Sequence, residues 1–105
     1  MMLVVTANHV PGKNITKTYG LVKGSTVRAK HVGRDIGASF KTLVGGEIKG
    51  YADLMIEARE EATNRMIEEA SQLGANAIIS MRYQTSQVMN GAAEVIAYGT
   101  AVIIE

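Results

Sequence analysis

Residues 45–79, GGEIKGYADLMIEAREEATNRMIEEASQLGANAII, decide the fold. They predict a glycine loop, a long helix from about residue 53 to 73, a stop at Gly74 and a buried strand. Asp53 is the expected N-cap, because its side chain can accept a hydrogen bond from the first free amides. Gly74 suits the left-handed conformation that ends helices. Apolar residues recur through the helix at steps of three and four: Met55, Ala58, Ala62, Met66, Ala70 and Leu73.

Four strands are predicted around this helix, at residues 3–6, 15–29, 76–87 and 93–104. The second strand contains Gly20 and Gly24, each of which indicates a bulge or the close approach of another backbone. Asn90-Gly91 predicts a hairpin turn between the last two strands. Alternation places Ala77, Ile79, Met81 and Tyr83 on one face of the third strand.

A short, irregular helix is predicted at about residues 32–44, from the spacing of Val32, Ile36, Phe40 and Leu43. The predicted order is therefore β-β-α-α-β-β, in one α+β domain covering residues 1–105. The long helix would back an antiparallel sheet. The last strand is apolar on both faces, and one helix can cover only one of them. A second subunit is the natural cover for the other face.

The composition excludes several classes of protein. The chain has 105 residues and no cysteine, so disulfides, thiolate nucleophiles and cysteine metal sites are ruled out. The first ten residues lack the basic segment of a secretory signal, and no apolar run is long enough to span a bilayer. We therefore predict a cytoplasmic protein with no membrane partner. No serine stands in the G-x-S-x-G pattern of hydrolases.

Charge is distributed unevenly along the chain. Residues 1–50 carry eight basic and two acidic residues, whereas residues 51–105 carry three basic and eight acidic ones. The two halves could be solvated faces of opposite sign, or they could meet within a subunit or between neighbours in a head-to-tail ring. Nucleic-acid binding is not favoured, because Tyr19 is the only aromatic residue among the basic ones before Phe40.

The sequence resembles the YbjQ-like family, a group of small bacterial and archaeal proteins without an established activity. The resemblance covers nearly the whole chain. It implies an α+β subunit, assembly into a ring of five copies, and the heavy-metal-binding label that the family carries. The residues that carry it are Arg34-Asp35, Leu43-Val44-Gly45-Gly46, Tyr51, Leu54, Ala58-Arg59, Ala62, Leu73-Gly74-Ala75-Asn76-Ala77 and Gly99-Thr100-Ala101-Val102.

Histidines are the metal-ligand candidates. His9 and His31 are the only imidazoles, and they lack the spacing of a helical metal motif. Each is more simply a solvated or hydrogen-bonded side chain. In a ring, however, one histidine per subunit would be repeated about the axis and could present several nitrogens to a divalent metal ion.

The glycine loop offers a second candidate site. Gly45 and Gly46 begin a G-x-x-x-x-G pattern, but Tyr51 and Ala52 stand where a phosphate loop needs Lys and Ser or Thr. A nucleotide hydrolase is therefore rejected. The loop could still be a structural turn, or its amides could hold an anion at the start of the helix.

A third candidate combines Arg34, Asp35 and Arg59. These residues could form a structural ion network, because the stem of Arg59 can pack beside the apolar stripe while its head pairs with a carboxylate. Together with Tyr51 they could instead line a reactive pocket between subunits.

These observations favour a non-enzymatic, ring-forming homo-oligomer that binds a small ligand or ion where subunits meet. The alternatives are a heavy-metal-binding protein that uses symmetry-related histidines, and an enzyme with an interfacial site.

Overall fold

The computed structural model describes residues 1–29, 46–89 and 91–105, with the backbone alone for residues 46–49 and 51. Its elements are strand β1 (Leu3–Val4), strand β2 (Ile15–Ala29), helix α1 (Gly46–Leu73), strand β3 (Ala77–Met89) and strand β4 (Ala92–Ile104). The α+β class and the four strands are confirmed. The short helix predicted at 32–44 lies outside the described residues.

All four strands form one sheet in the order β1-β3-β4-β2. β4 pairs antiparallel with both β3 and β2, but β1 runs parallel to β3. The sheet is therefore mixed, and the prediction of a purely antiparallel sheet was wrong at this edge. The cause is local: Leu3 donates its N–H to the carbonyl of Asn76, which places the chain's start alongside the start of β3.

The core lies between α1 and one face of the sheet. Four residues of the predicted stripe are fully buried: Ala58, Ala62, Met66 and Ala70. They pack against Val22 of β2 and against Val95, Ala97 and Ala101 of β4. A Cβ atom on Gly24 would overlap the backbone of Ala62 and Met66, so this glycine lets the helix lie directly on β2.

The predicted limits of the helix need correction at its first residue. α1 begins at Gly46, so Gly46 to Gly50 belong to the helix and Asp53 lies inside it rather than at its N-cap. Glycine costs about 1 kcal/mol in a helix interior but does not forbid one. At the other end, Gly74 has the predicted positive φ, of 95°. Leu73, which the stripe placed in the core, is exposed.

An irregularity in β3 changes which side chains face the helix. Ser80 has a φ of 53°, and the pairing with β4 shifts between Ile79 and Arg82. Ala77 and Ile79 therefore face away from α1, whereas Met81 packs in the helix-facing core and Tyr83 bonds to the helix. The predicted common face for these four residues was wrong, because the bulge reverses the alternation.

Among the described residues, cover for the second face of the sheet lies at one end. Val5 and Val10, from the segment after β1, pack on Ala77, Ile79 and Val102. Part of the cover that the apolar last strand requires thus comes from the chain itself. Farther along the same face, Leu21 and Val27 are 66% and 56% exposed.

The two outer edges of the sheet differ. On β2, the N–H of Lys23 donates to Glu69 Oε1 at 3.1 Å, and Arg65 Nη1 donates to the carbonyl of Ser25 at 2.6 Å. On β3, the N-terminal segment bonds as far as Met81. Beyond it lies the distal β3 edge, residues 82–86, beside which the described part of the chain places no strand.

No helical stretch within the described ranges is both long and apolar enough to cross a membrane.

Candidate functional site

The strongest candidate site is a groove between α1 and the distal β3 edge, called here the Arg59 groove. It encloses about 480 Å³, within the usual range for small-molecule sites. One helix face supplies most of its lining, and β3 supplies one aromatic side chain. The lining residues are Ile56, Arg59, Glu60, Thr63, Asn64 and Tyr83.

Two linked hydrogen bonds fix one wall of the Arg59 groove. The hydroxyl of Thr63 donates to the backbone carbonyl of Arg59, one helical turn earlier, at 2.7 Å. The hydroxyl of Tyr83 lies 2.7 Å from the same Thr63 oxygen. This contact ties β3 to α1 and holds the phenol ring at the rim, where Tyr83 is 46% exposed. The groove therefore has one polar, fixed wall.

A second groove lies on the opposite side of α1, against β2. It encloses about 450 Å³ and is lined by Lys23, Gly24, Ser25, Arg65, Glu68, Glu69 and Gln72. Its charged side chains are partly committed, because Glu69 and Arg65 already bond to the backbone of β2. This groove is therefore better described as part of the packing contact between α1 and β2.

A network of ion pairs strengthens the contact between α1 and β2. Glu61 pairs with Arg65, one helical turn later on α1, and also with Arg28 of β2. The Nε atom of Arg28 is buried and has no hydrogen-bond partner among the described residues. The network joins α1 to β2, and its Arg65 also donates to the carbonyl of Ser25, so its role is structural.

The predicted metal ligands do not form a site within one subunit. His9 lies in the exposed N-terminal segment, where its Nδ1 is 2.9 Å from Asn8 Oδ1, and His31 lies outside the described residues. The described ranges bring no three His, Cys, Asp or Glu side chains together. The chain also lacks the soft thiolate ligands that heavy metals prefer. One chain's described donors therefore do not fit a heavy-metal ion.

Of the predicted ligand-binding residues, the structure places one in a cavity. Arg59 lines the groove between α1 and β3. Gly46 begins α1, and Tyr51 follows within its second turn, so the predicted anion-holding loop is helical from Gly46 onward. Arg34, Asp35 and Gly45 lie outside the described residues. The structure thus neither joins nor separates the proposed Arg34–Asp35–Arg59 network.

Sequence reasoning missed Thr63 and Tyr83, which build the fixed wall. Thr63 stands four residues after Arg59, so the helical spacing could have suggested that they share a face. Tyr83 carries no comparable signal, since it faces α1 only because of the bulge at Ser80.

Comparison with known proteins bears on this site. A family model described as "Putative heavy-metal-binding", the YbjQ model, matches residues 2–105. The chain belongs to the YbjQ family. Relatives include a UPF0145 protein of Clostridioides difficile, 60% identical over 99% of this chain and 93% of the relative. A UPF0145 protein of Thermotoga maritima is 53% identical over 99% and 98%.

A solved structure shares the family's fold. A protein of unknown function from the DUF74 family of Pediococcus pentosaceus superposes with a TM-score of 0.62, over 99% of this chain and 98% of its own. At 19% identity, the likeness establishes the architecture alone. The names of the two UPF0145 relatives of this YbjQ protein describe no enzymatic activity.

Proposed function

We propose that this protein is a non-enzymatic homo-oligomer that binds a small ligand in the Arg59 groove, where copies of the chain meet. The observation that carries the proposal is the position of this groove beside an open strand edge. A strand edge without a neighbour presents free N–H and C=O groups, which readily pair with another chain. A copy bound there would form the missing wall of the groove.

Exposed apolar side chains support the assembly. Leu21 and Val27 project from the uncovered sheet face, and Val88 and Met89 lie at the end of β3, all more than half exposed. A small domain with a core built from alanine, valine and methionine gains stability by burying such surface between subunits. The family resemblance gives the ring, and specifically the pentamer, as the expected form.

The assembly is tested by light scattering coupled to size-exclusion chromatography. We expect a mass that is a multiple of the 11.2 kDa chain, five-fold for the pentamer. A clean monomer at micromolar concentration would overturn the proposal. The non-enzymatic part rests on the absence of enzyme names among the relatives and on the lack of a nucleophile motif in the sequence.

A second candidate function is the binding of a divalent heavy-metal ion by symmetry-related histidines. The family description and the exposure of His9 favour it. Calorimetric titration with Zn²⁺, Ni²⁺ and Cu²⁺ tests it, with His9→Ala and His31→Ala as variants. This candidate requires heat that one of the substitutions removes, and equal heat in all three proteins would count against it.

A further inference from the structure

The hydrogen bonds in the Arg59 groove show which hydroxyl donates and which accepts. A backbone carbonyl can only accept, so Thr63 commits its single hydroxyl proton to the carbonyl of Arg59. Tyr83 must then donate its own proton to Thr63. The phenol oxygen keeps a lone pair but no proton for a ligand. Tyr83 is therefore an acceptor toward the groove.

Arg59 supplies hydrogen-bond donors, where Tyr83 supplies an acceptor. Both ion pairs found within the described ranges belong to Glu61, and neither includes Arg59. A guanidinium has five N–H donors, no acceptor and a geometry that matches a carboxylate. Its neighbour in the groove lining, Glu60, is acceptor-only when ionised. One groove thus combines a donor-only cation with two acceptors, the Tyr83 oxygen and the Glu60 carboxylate.

Ile56 and the ring of Tyr83 give the groove an apolar surface, and Asn64 completes the lining with a neutral amide. Ile56 is 47% exposed, and the ring of Tyr83 stands across the groove from the helix. These two surfaces can cover a hydrocarbon side chain, which an inorganic anion would leave unused.

We propose that the ligand is a zwitterion that carries both a carboxylate and an ammonium group, as an apolar α-amino acid does. Its carboxylate binds Arg59, its ammonium donates to Tyr83 Oη and Glu60, and its side chain lies on Ile56 and the phenol ring. This inference rests on the proposed function, since it names the ligand class of the same groove.

The experiment uses the intact full-length protein and isothermal titration calorimetry. The probes are L-valine, L-leucine, L-methionine and L-phenylalanine, with 4-methylpentanoate and 3-methylbutan-1-amine as analogues of leucine that lack one charge each. We expect at least one amino acid to bind, and leucine to exceed each analogue about tenfold, the effect of one hydrogen bond to a charged group.

Two variants separate the two ends of the ligand. Tyr83→Phe should weaken amino-acid binding about tenfold and leave 4-methylpentanoate unaffected, because only the ammonium loses a partner. Arg59→Gln should weaken both. Gln72→Ala, in the opposite groove, is the matched control and should change neither.

The outcomes are distinct. No heat with any of the four amino acids overturns the inference, as does equal affinity for leucine and 4-methylpentanoate. Equal affinity that Arg59→Gln abolishes would still leave the Arg59 groove as a ligand site, so the proposed function would stand. A monomer that still binds leucine, with Arg59→Gln weakening that binding, would overturn the proposed assembly and support the ligand class.

Discussion

The two outer edges of the sheet are made in opposite ways. At β2, side chains of α1 reach over the strand and bond to its outward backbone groups at Lys23 and Ser25. At the distal β3 edge, the described residues supply no strand, and after Arg82 the sequence Tyr83-Gln84-Thr85-Ser86 carries no charge. Natural proteins protect edges with charges, prolines or covering elements. Among the described residues, the β2 edge has a covering element, whereas the β3 edge after Arg82 has none.

This difference teaches where association is expected. The protected edge already has partners that another chain would have to displace, whereas the open edge offers its backbone at no such cost. The open edge is also the one that borders the Arg59 groove. This contrast supports the proposal that copies of the chain associate beside the Arg59 groove.

The largest effect is expected from moving the helix off the protected edge. Gly24→Ala places a Cβ atom against backbone atoms of Ala62 and Met66, which cannot rotate away. We expect the free energy of unfolding to fall by about 3 kcal/mol. Gly20→Ala is the control: its Cβ would meet open space and pay only for a positive φ, about 1–2 kcal/mol. Urea denaturation measures both, and equal losses would contradict the close-packing argument.

A smaller loss is expected when the ion network that positions Arg65 is broken. Glu61→Gln removes the carboxylate shared by Arg28 and Arg65. The side chains of Arg28 and Glu61 are about a third exposed, at 33% and 29%, so solvent screening limits the cost. We expect about 1–2 kcal/mol, also by urea denaturation. Glu60→Gln, on the adjacent helix position, should change stability by less than about 0.5 kcal/mol. A network without structural value would give the two variants the same stability.

Removing the cap on β2 should have a more local effect. Glu69→Ala takes away the acceptor of the Lys23 N–H, at a cost of about 0.5–1.5 kcal/mol. Hydrogen exchange followed by NMR should show faster exchange at Lys23 than at other amides of β2. Glu68→Ala has no such bond to lose, and its Lys23 amide should exchange as in the wild type. Unchanged exchange in Glu69→Ala would mean that the edge is protected by something else.

The smallest effect on the folded subunit is expected at the open edge. Thr85→Lys adds a charge to the distal β3 edge, where it should leave the subunit's stability within about 0.5 kcal/mol. The same charge opposes pairing with another chain, so the mass measured by light scattering should fall. Ser71→Lys, in the last turn of α1, carries the same charge away from this edge and should keep the wild-type mass. If Thr85→Lys assembles normally, copies meet elsewhere.

Much of the fold could be predicted from the sequence because its signals are local. The spacing of Ala58, Ala62, Met66 and Ala70 requires a buried helix face, and these four residues are fully buried. Gly20 and Gly24 were each assigned a bulge or a close approach, and the structure has the first at Gly20 and the second at Gly24. Both signals depend on the residue itself.

The candidate site could be predicted only in small part from the sequence, because tertiary structure brings its residues together. Arg59 was singled out from the sequence, but its neighbour across the groove, Tyr83, reaches it only after Ser80 reverses the strand's alternation. A serine at positive φ has no sequence signature of its own. The parallel pairing of β1 was likewise unpredictable, since two residues carry too little pattern to set a strand's direction.

The pairing of β2 with β4 also determines how the chain acquires its structure. Residues 15–29 find their strand partners at residues 92–104, almost the whole chain away. During synthesis β2 emerges before its partner strand β4 has been made. In contrast, α1 and the β3–β4 hairpin can form from residues close in sequence. Its exposed apolar positions, Leu21 and Val27, remain without a sheet until synthesis is nearly complete. We expect this topology to slow folding, because the non-local pairing of β2 must first overcome the entropy cost of closing a long loop.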